Sequence, residues 1–212
     1  MPNRINYQLE MEKVLRTLDG TRPKLLLHAC CAPCSSATLE RLSAHFDLTI
    51  LYYNPNIYPP EEYHRREAEL ERFVEQAGYH YPVVELPYDP QEFYTAVKGL
   101  ENEPEKGARC TVCYRLRLEQ AARYAADHGF DWYCTTLSIS PDEGPRAAER
   151  AWHRAGQAVR RARSCPVSSA KRTATSAATV ERRVRPVPAG LLRVRVLPAR
   201  GRGPRGAQKR AE

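Results

Sequence analysis

One pattern constrains this chain more than any other: a short apolar run, a turn-rich loop, then a segment whose apolar residues recur at helical spacing. Residues 24–28 (KLLLH) lead through a small-residue loop into SSATLERLSAHF. DLTILYYN leads through NPNIYPPEEY into HRREAELERFVEQAGY, where Leu70, Phe73 and Val74 make one apolar face. YPVVELPYD, the short helix QEFYTAVKGL, the longer helix CYRLRLEQAARYAADHG ended by Gly129, and the strand FDWYCTTLS continue the series. Strands alternating with helices predict an α/β fold, a Rossmann-like parallel sheet with flanking helices and right-handed crossovers. Functional loops of such sheets lie at the carboxyl ends of the strands. HACCAPC, NPNIYPP and SISP each follow a strand directly, so three loops can meet at one edge.

The pattern stops at Pro141, and so does the composition. The chain carries a net charge of +8, but residues 1–141 hold 15 Lys+Arg against 20 Asp+Glu, while residues 142–212 hold 18 against 5. An argument from overall basicity to nucleic-acid binding would therefore rest on the tail alone. All 12 tyrosines precede Pro141, and the tail has no Phe, Ile, Asn or Met but 16 Arg to 2 Lys. The expectation is a domain over 1–141 followed by a basic tail over 142–212, disordered or poorly packed because Arg, Pro and Ala offer little apolar area to offset ordering entropy. The Arg skew is what GC-rich codons give when read out of register. Shifting the frame by one base permits YGLYRQDYCGCVF across Val184 to Leu197 and LNALG across Ala148 to His153. The tail is thus read as a frameshift product.

No run of about 18 apolar residues exists to span a bilayer, and MPNRINYQLEMEKVL has charges where a signal peptide needs an apolar stretch, so a cytoplasmic protein without a membrane partner is expected. Seven cysteines in a reducing compartment point to metal or redox chemistry rather than to disulfides. Cys30 and Cys31 are adjacent after a strand, and Cys110 and Cys113 form a C-x-x-C at the start of a helix. Four thiolates from two loops suit a cubane iron-sulfur cluster, and equally a tetrahedral zinc ion. Cys31-Ala-Pro-Cys34 also resembles the C-x-x-C of thioredoxin-like oxidoreductases, a reading that leaves Cys30 and the second pair unexplained. Cys134 within FDWYCTTLS reads as a buried small hydrophobe, His28 as a hydrogen-bonded core residue at a strand end, and His64 as an exposed helix residue. Cys165 lies in the tail and is assigned nothing.

KLLLHACCAPCSS, ILYYNPNIYPPEEYHRR, KGARCTVCYRLRLEQAA and CTTLSISP, in this order and at these intervals, resemble the QueH epoxyqueuosine reductases over roughly residues 5–141. The resemblance implies reduction of epoxyqueuosine to queuosine at the wobble position of tRNA, with an external electron donor. It implies a [4Fe-4S] cluster on Cys30, Cys31, Cys110 and Cys113, and an adjacent mononuclear iron for which Cys34 is the metal ligand and catalytic residue. The family's continuation, SPHK, LNxIG and a terminal YGLYRQDYCGC, is missing from the chain as written, which puts the activity of this exact chain in doubt because the C-G-C could relay electrons.

In the loop after the second strand, Tyr53, Asn54, Asn56, Tyr58 and Tyr63 could stack on or hydrogen-bond the anticodon base, or could simply pack a turn. Arg109, Arg115 and Arg117 could meet anticodon phosphates, or be solvated helix charges. No G-x-x-x-x-G-K loop is present, so ATP use is not expected. The two competing readings are a zinc-bound RNA-binding module and a thioredoxin-like oxidoreductase.

Overall fold

A computed structural model of the chain describes residues 7–138 and the two strand residues 163–164. The SISP loop beyond Ser138, Cys165 and the expectations for the tail fall outside the described residues. In chain order the elements are α1 (Tyr7–Thr17), β1 (Lys24–Ala29), α2 (Ala32–Leu42), β2 (Asp47–Tyr52), α3 (Pro60–Gln76), β3 (Val83–Glu85), α4 (Pro90–Ala96), α5 (Ala108–Asp127), β4 (Trp132–Thr135) and β5 (Arg163–Ser164). A 3-10 turn over Thr136–Ser138 follows β4.

The sheet is parallel in every described pairing, with strand order β3-β2-β1-β4-β5. The expected α/β class with a parallel sheet is therefore observed. From β1 the chain first builds outward through β2 and β3, then returns to place β4 on the other side of β1. That reversal falls between β1 and β4, whose carboxyl ends are where ligands bind in sheets of this kind.

Both faces of the sheet are covered, which is why β1 reads as an unbroken apolar run rather than an alternation. Leu25, Leu27 and Ala29 point to a core shared with Met11 of α1, Leu39 and Leu42 of α2, and Leu70, Phe73 and Val74 of α3. Leu26 points the other way, into a core formed with Leu118, Ala121, Ala122 and Ala125 of α5. Small alanines on α5 let that helix lie close to the strands. The second strand does the same, with Ile50 on one side and Leu51 on the other.

Three details depart from the sequence reading. Helix α1 was not anticipated, although Met11, Val14, Leu15 and Leu18 have the spacing of one apolar face, and all four join the first core. β3 is confined to three residues of YPVVELPYD, because Pro82 and Pro87 flank it and cannot donate to a ladder. Helix α2 starts at Ala32 rather than at Ser35, with a proline in its first turn, so the third cysteine of HACCAPC belongs to the helix and not to the loop. Prolines are favoured there because the first amides have no helical partner to lose.

Leu27 is fully buried between neighbouring strands, whereas Leu9 of α1 is 49% exposed. Leu27→Ala is expected to lower stability by about 2–5 kcal/mol and Leu9→Ala by less than about 0.5 kcal/mol, read as a shift of the urea midpoint at constant slope.

Candidate metal centre

β1 ends at Ala29, and the next two residues are Cys30 and Cys31. Cys31 occupies the N-cap of α2 in an extended conformation, with no side-chain cap, so its sulfur stands before the positive end of a helix. Cys34 follows in the first turn. The sulfurs of Cys30, Cys31 and Cys34 all lie within 4.8 Å of one another, and those of Cys30 and Cys31 are 3.8 Å apart. With metal–sulfur bonds of about 2.3 Å, the edge of a tetrahedral thiolate site is about 3.8 Å. The donor set and its spacing therefore fit a metal.

Hydrogen bonds within this triad sort the protons. Cys31 is drawn down to about 4, first by its bond with Cys30, then by those with Cys34, with burial opposing. Cys30 is pushed up to about 11, chiefly by the same bond with Cys31, and Cys34 is also raised, first through its bond with Cys30. The nearby Arg66 guanidinium also draws Cys31 down.

The second pair lies on the first turns of α5, with Cys110 half-buried and Cys113 buried. Cys110 packs against the same apolar core as Cys30, and Cys113 joins Phe93 and Val97 in a smaller cluster. Neither belongs to the group of thiols that lie within 4.8 Å of one another. The backbone amide of Lys106 donates to the Cys110 sulfur at 3.3 Å. Lys106 itself adopts a positive φ of 68°, a conformation uncommon outside glycine. Among the described residues all six cysteines are free. Cys134 is fully buried in the first core, as the sequence suggested.

Beneath the cysteines runs a buried polar layer that sequence reasoning found only in part. His28 is fully buried, with Nε2 3.0 Å from the Tyr53 carbonyl and Nδ1 3.0 Å from the Thr135 hydroxyl. A carbonyl can only accept, so Nε2 carries the proton and Nδ1 accepts from Thr135. Burial first, and Arg117 second, lower His28 to about 4; it is a neutral structural residue, as expected, and not a ligand. Asn54, fully buried, donates from Nδ2 to the Ala29 carbonyl at 3.0 Å and accepts from Arg117 at 3.4 Å. Arg117 also donates to the Cys113 carbonyl at 3.4 Å and lies 5.6 Å over the Tyr114 ring.

Arg117 is only 4% exposed, which corrects both sequence readings of it, phosphate contact and solvated charge. It connects the turn that carries Cys113 to the strand end that carries Cys30. Arg66 is a second buried guanidinium, 2.6 Å from Glu62; burial pushes the Glu62 carboxyl up, but bonds from Arg66 and then Arg65 outweigh it and hold it below the usual carboxylate range. Nothing in the sequence separated Arg66 and Arg117 from their exposed neighbours except helical phase. Arg115 remains half-exposed beside Glu119, and Arg109 donates to the Glu101 carbonyl.

The residues considered for substrate divide by exposure. Asn54 and Tyr63 are fully buried; Tyr63 stacks on Tyr88 with ring centres 4.0 Å apart. Tyr53 is buried and its hydroxyl donates to Glu92. Asn56 is half-buried, and its side-chain oxygen has no protein partner. Tyr58 is 43% exposed and meets Tyr94 edge-on. His64 is exposed on α3, as expected, 3.4 Å from Glu67. No helix among the described residues is long and apolar enough to cross a membrane.

Against known proteins, the sequence model of the family Epoxyqueuosine reductase QueH matches residues 25–179. The likeness thus runs past Pro141, beyond where the motifs had placed its end. The chain is 43% identical over 148 residues to Epoxyqueuosine reductase QueH of Staphylococcus epidermidis, covering 64% of this chain and 62% of that protein. It is 42% identical over 147 residues to the Streptococcus pyogenes serotype M1 protein of the same name, covering 66% and 58%. With the one from Acinetobacter baylyi it is 47% identical over 124 residues, covering 58% and 56%. The matched part therefore spans less than two thirds of each of these relatives. A family profile matched from the first strand to beyond the last long helix, with both cysteine pairs inside it, shows that the chain belongs to the QueH epoxyqueuosine reductase family.

Proposed function

We propose that this chain is an epoxyqueuosine reductase, a cytoplasmic oxidoreductase that converts epoxyqueuosine to queuosine in the anticodon loop of tRNA. The reaction takes two electrons and two protons, removes the epoxide oxygen as water and leaves a carbon–carbon double bond. The electrons come from an external donor. One observation carries the reading: a chain that matches the family has its cysteine-bearing strand end where the strand order reverses.

The donor types fit the cofactor of such a reaction. Cys30, Cys31, Cys110 and Cys113 would hold a [4Fe-4S] cluster, and Cys34 would be the ligand of a neighbouring iron and the catalytic residue. Bound there, these centres supply single electrons and a Lewis acid for the epoxide oxygen. The chain's own residues do the rest. The N-terminus of α2 and the buried Arg66 would offset the negative charge of bound thiolates on the Cys31 side, and apolar packing shields Cys113 of the second pair while Cys110 stays half-buried. The exposed Tyr58, braced by Tyr94, is available to stack on a base of the loop. Asn54 and Tyr63 act behind that surface, the first on the backbone of β1 and the second on Tyr88.

A zinc-bound module and a thioredoxin-like oxidoreductase predict different measurements. Anaerobic reconstitution with iron and sulfide should give a brown protein with about four irons and four sulfides per cluster. Cys30→Ser and Cys110→Ser should each lose the colour, while Cys134→Ser should keep it. A colourless protein with one zinc per chain would sink the reductase reading.

Base stacking on a tyrosine is worth about 1–3 kcal/mol. Tyr58→Ala should therefore weaken binding of an anticodon stem-loop about 5- to 160-fold, and Tyr58→Phe should leave it near wild type, as measured by fluorescence anisotropy.

A further inference from the structure

Thr136 stands at the first position after β4, in contact with Cys30 after β1. It is fully buried. Its hydroxyl oxygen lies 3.2 Å from the Cys30 amide nitrogen and 3.3 Å from the Cys30 sulfur. The amide can only donate, so it occupies a lone pair of the hydroxyl oxygen. The hydroxyl has a single proton, and the Cys30 sulfur is the acceptor within reach of it. A metal-bound Cys30 sulfur has no proton to give, so in the loaded centre Thr136 donates to Cys30.

The position is also held from behind. Thr135, one residue earlier, accepts the Leu137 amide at 3.2 Å and gives its own proton to His28, so neither hydroxyl is free to turn toward the other's partner. β4 is paired to β1 in register from Leu25 with Trp132 to His28 with Thr135, a register that brings Thr136 level with Ala29, one residue before Cys30. The hydroxyl is therefore oriented before any ligand arrives.

We propose that Thr136 is a positioning residue that tunes the metal centre: its hydroxyl is a permanent hydrogen-bond donor to the Cys30 thiolate. A hydrogen bond to a ligand sulfur withdraws electron density from it. The reduced, more negative state of the centre then gains more than the oxidised one, and the reduction potential rises. For a reductase, this sets how strong an external donor must be to load an electron. The inference rests on the reading of Cys30 as a cluster ligand, and its test is arranged to separate the two.

Thr136→Val keeps the shape and removes the hydroxyl, and Thr136→Ser keeps the hydroxyl and removes the methyl. Circular dichroism establishes that both variants are folded. After anaerobic reconstitution, the midpoint potential of Thr136→Val should be more negative than that of wild type, and Thr136→Ser should restore it. The same three proteins loaded with Co2+ give a readout independent of iron-sulfur chemistry. Losing the hydrogen bond raises the energy of the sulfur lone pairs, so the sulfur-to-cobalt charge-transfer band should move to longer wavelength in Thr136→Val alone. Equal potentials and equal bands in all three would overturn the proposal, as would a Thr136→Ser that behaves like Thr136→Val. A wild-type protein that takes up no cluster while the cobalt band still shifts removes the cluster and leaves the role of Thr136 standing.

Discussion

The candidate site depends on one requirement: the polar groups that close the carboxyl end of a doubly covered sheet must find partners away from water. Leaving such a group unpaired costs about 1–3 kcal/mol, and four are concentrated within the ends of three strands. His28 on β1 answers for the Tyr53 carbonyl after β2 and for Thr135 on β4. Asn54 answers for the Ala29 carbonyl, and Thr136 for the Cys30 amide. Because each of these bonds joins two different strands, the cysteine loop cannot move without breaking a contact in a neighbouring element. The rigidity that a metal site needs comes from this layer more than from the cysteines.

Arg117 extends the layer to the second pair. Asn54 accepts a hydrogen bond from Arg117 and donates one to the Ala29 carbonyl, so a single side chain passes the constraint from α5 to the residue before Cys30. The pairs are about 80 residues apart in sequence, a separation at which closing the loop is entropically costly. A buried guanidinium with several fixed donors can hold one geometry where an apolar contact would allow sliding.

Much of this could be read before any coordinates. The alternation of strand and helix gave the parallel sheet, since both periodicities are local, and the cysteines were found because their residue type is informative by itself. His28, Cys134 and His64 were read correctly for the same local reason. What escaped depended on the relation between distant segments. Thr136 is an ordinary threonine until β4 is known to lie beside β1. Arg117 differs from Arg115 only in helical phase, and its burial follows from α5 lying against the sheet on alanines. The early start of α2 was legible in principle, because Pro33 fits a first turn, yet the adjacent cysteines made the segment look like a loop. The choice for Asn54 between base contact and packed turn, which the sequence left open, has the same origin: its burial depends on what the neighbouring strand needs.

Charge gives the last step. The segment through Pro141 is net negative by five, so attraction over its whole surface cannot bring a polyanion such as tRNA to it. Under the proposed function, recognition by this part of the chain would be short-range, through stacking on Tyr58 and a few local donors such as Arg115, which is half-exposed. Few phosphate contacts release few counterions, so binding by this surface should depend only weakly on salt. Shape and aromatic contact are also what distinguish one unstacked base from its neighbours. Under the proposed function, a domain built this way would trade long-range capture for discrimination at a single base.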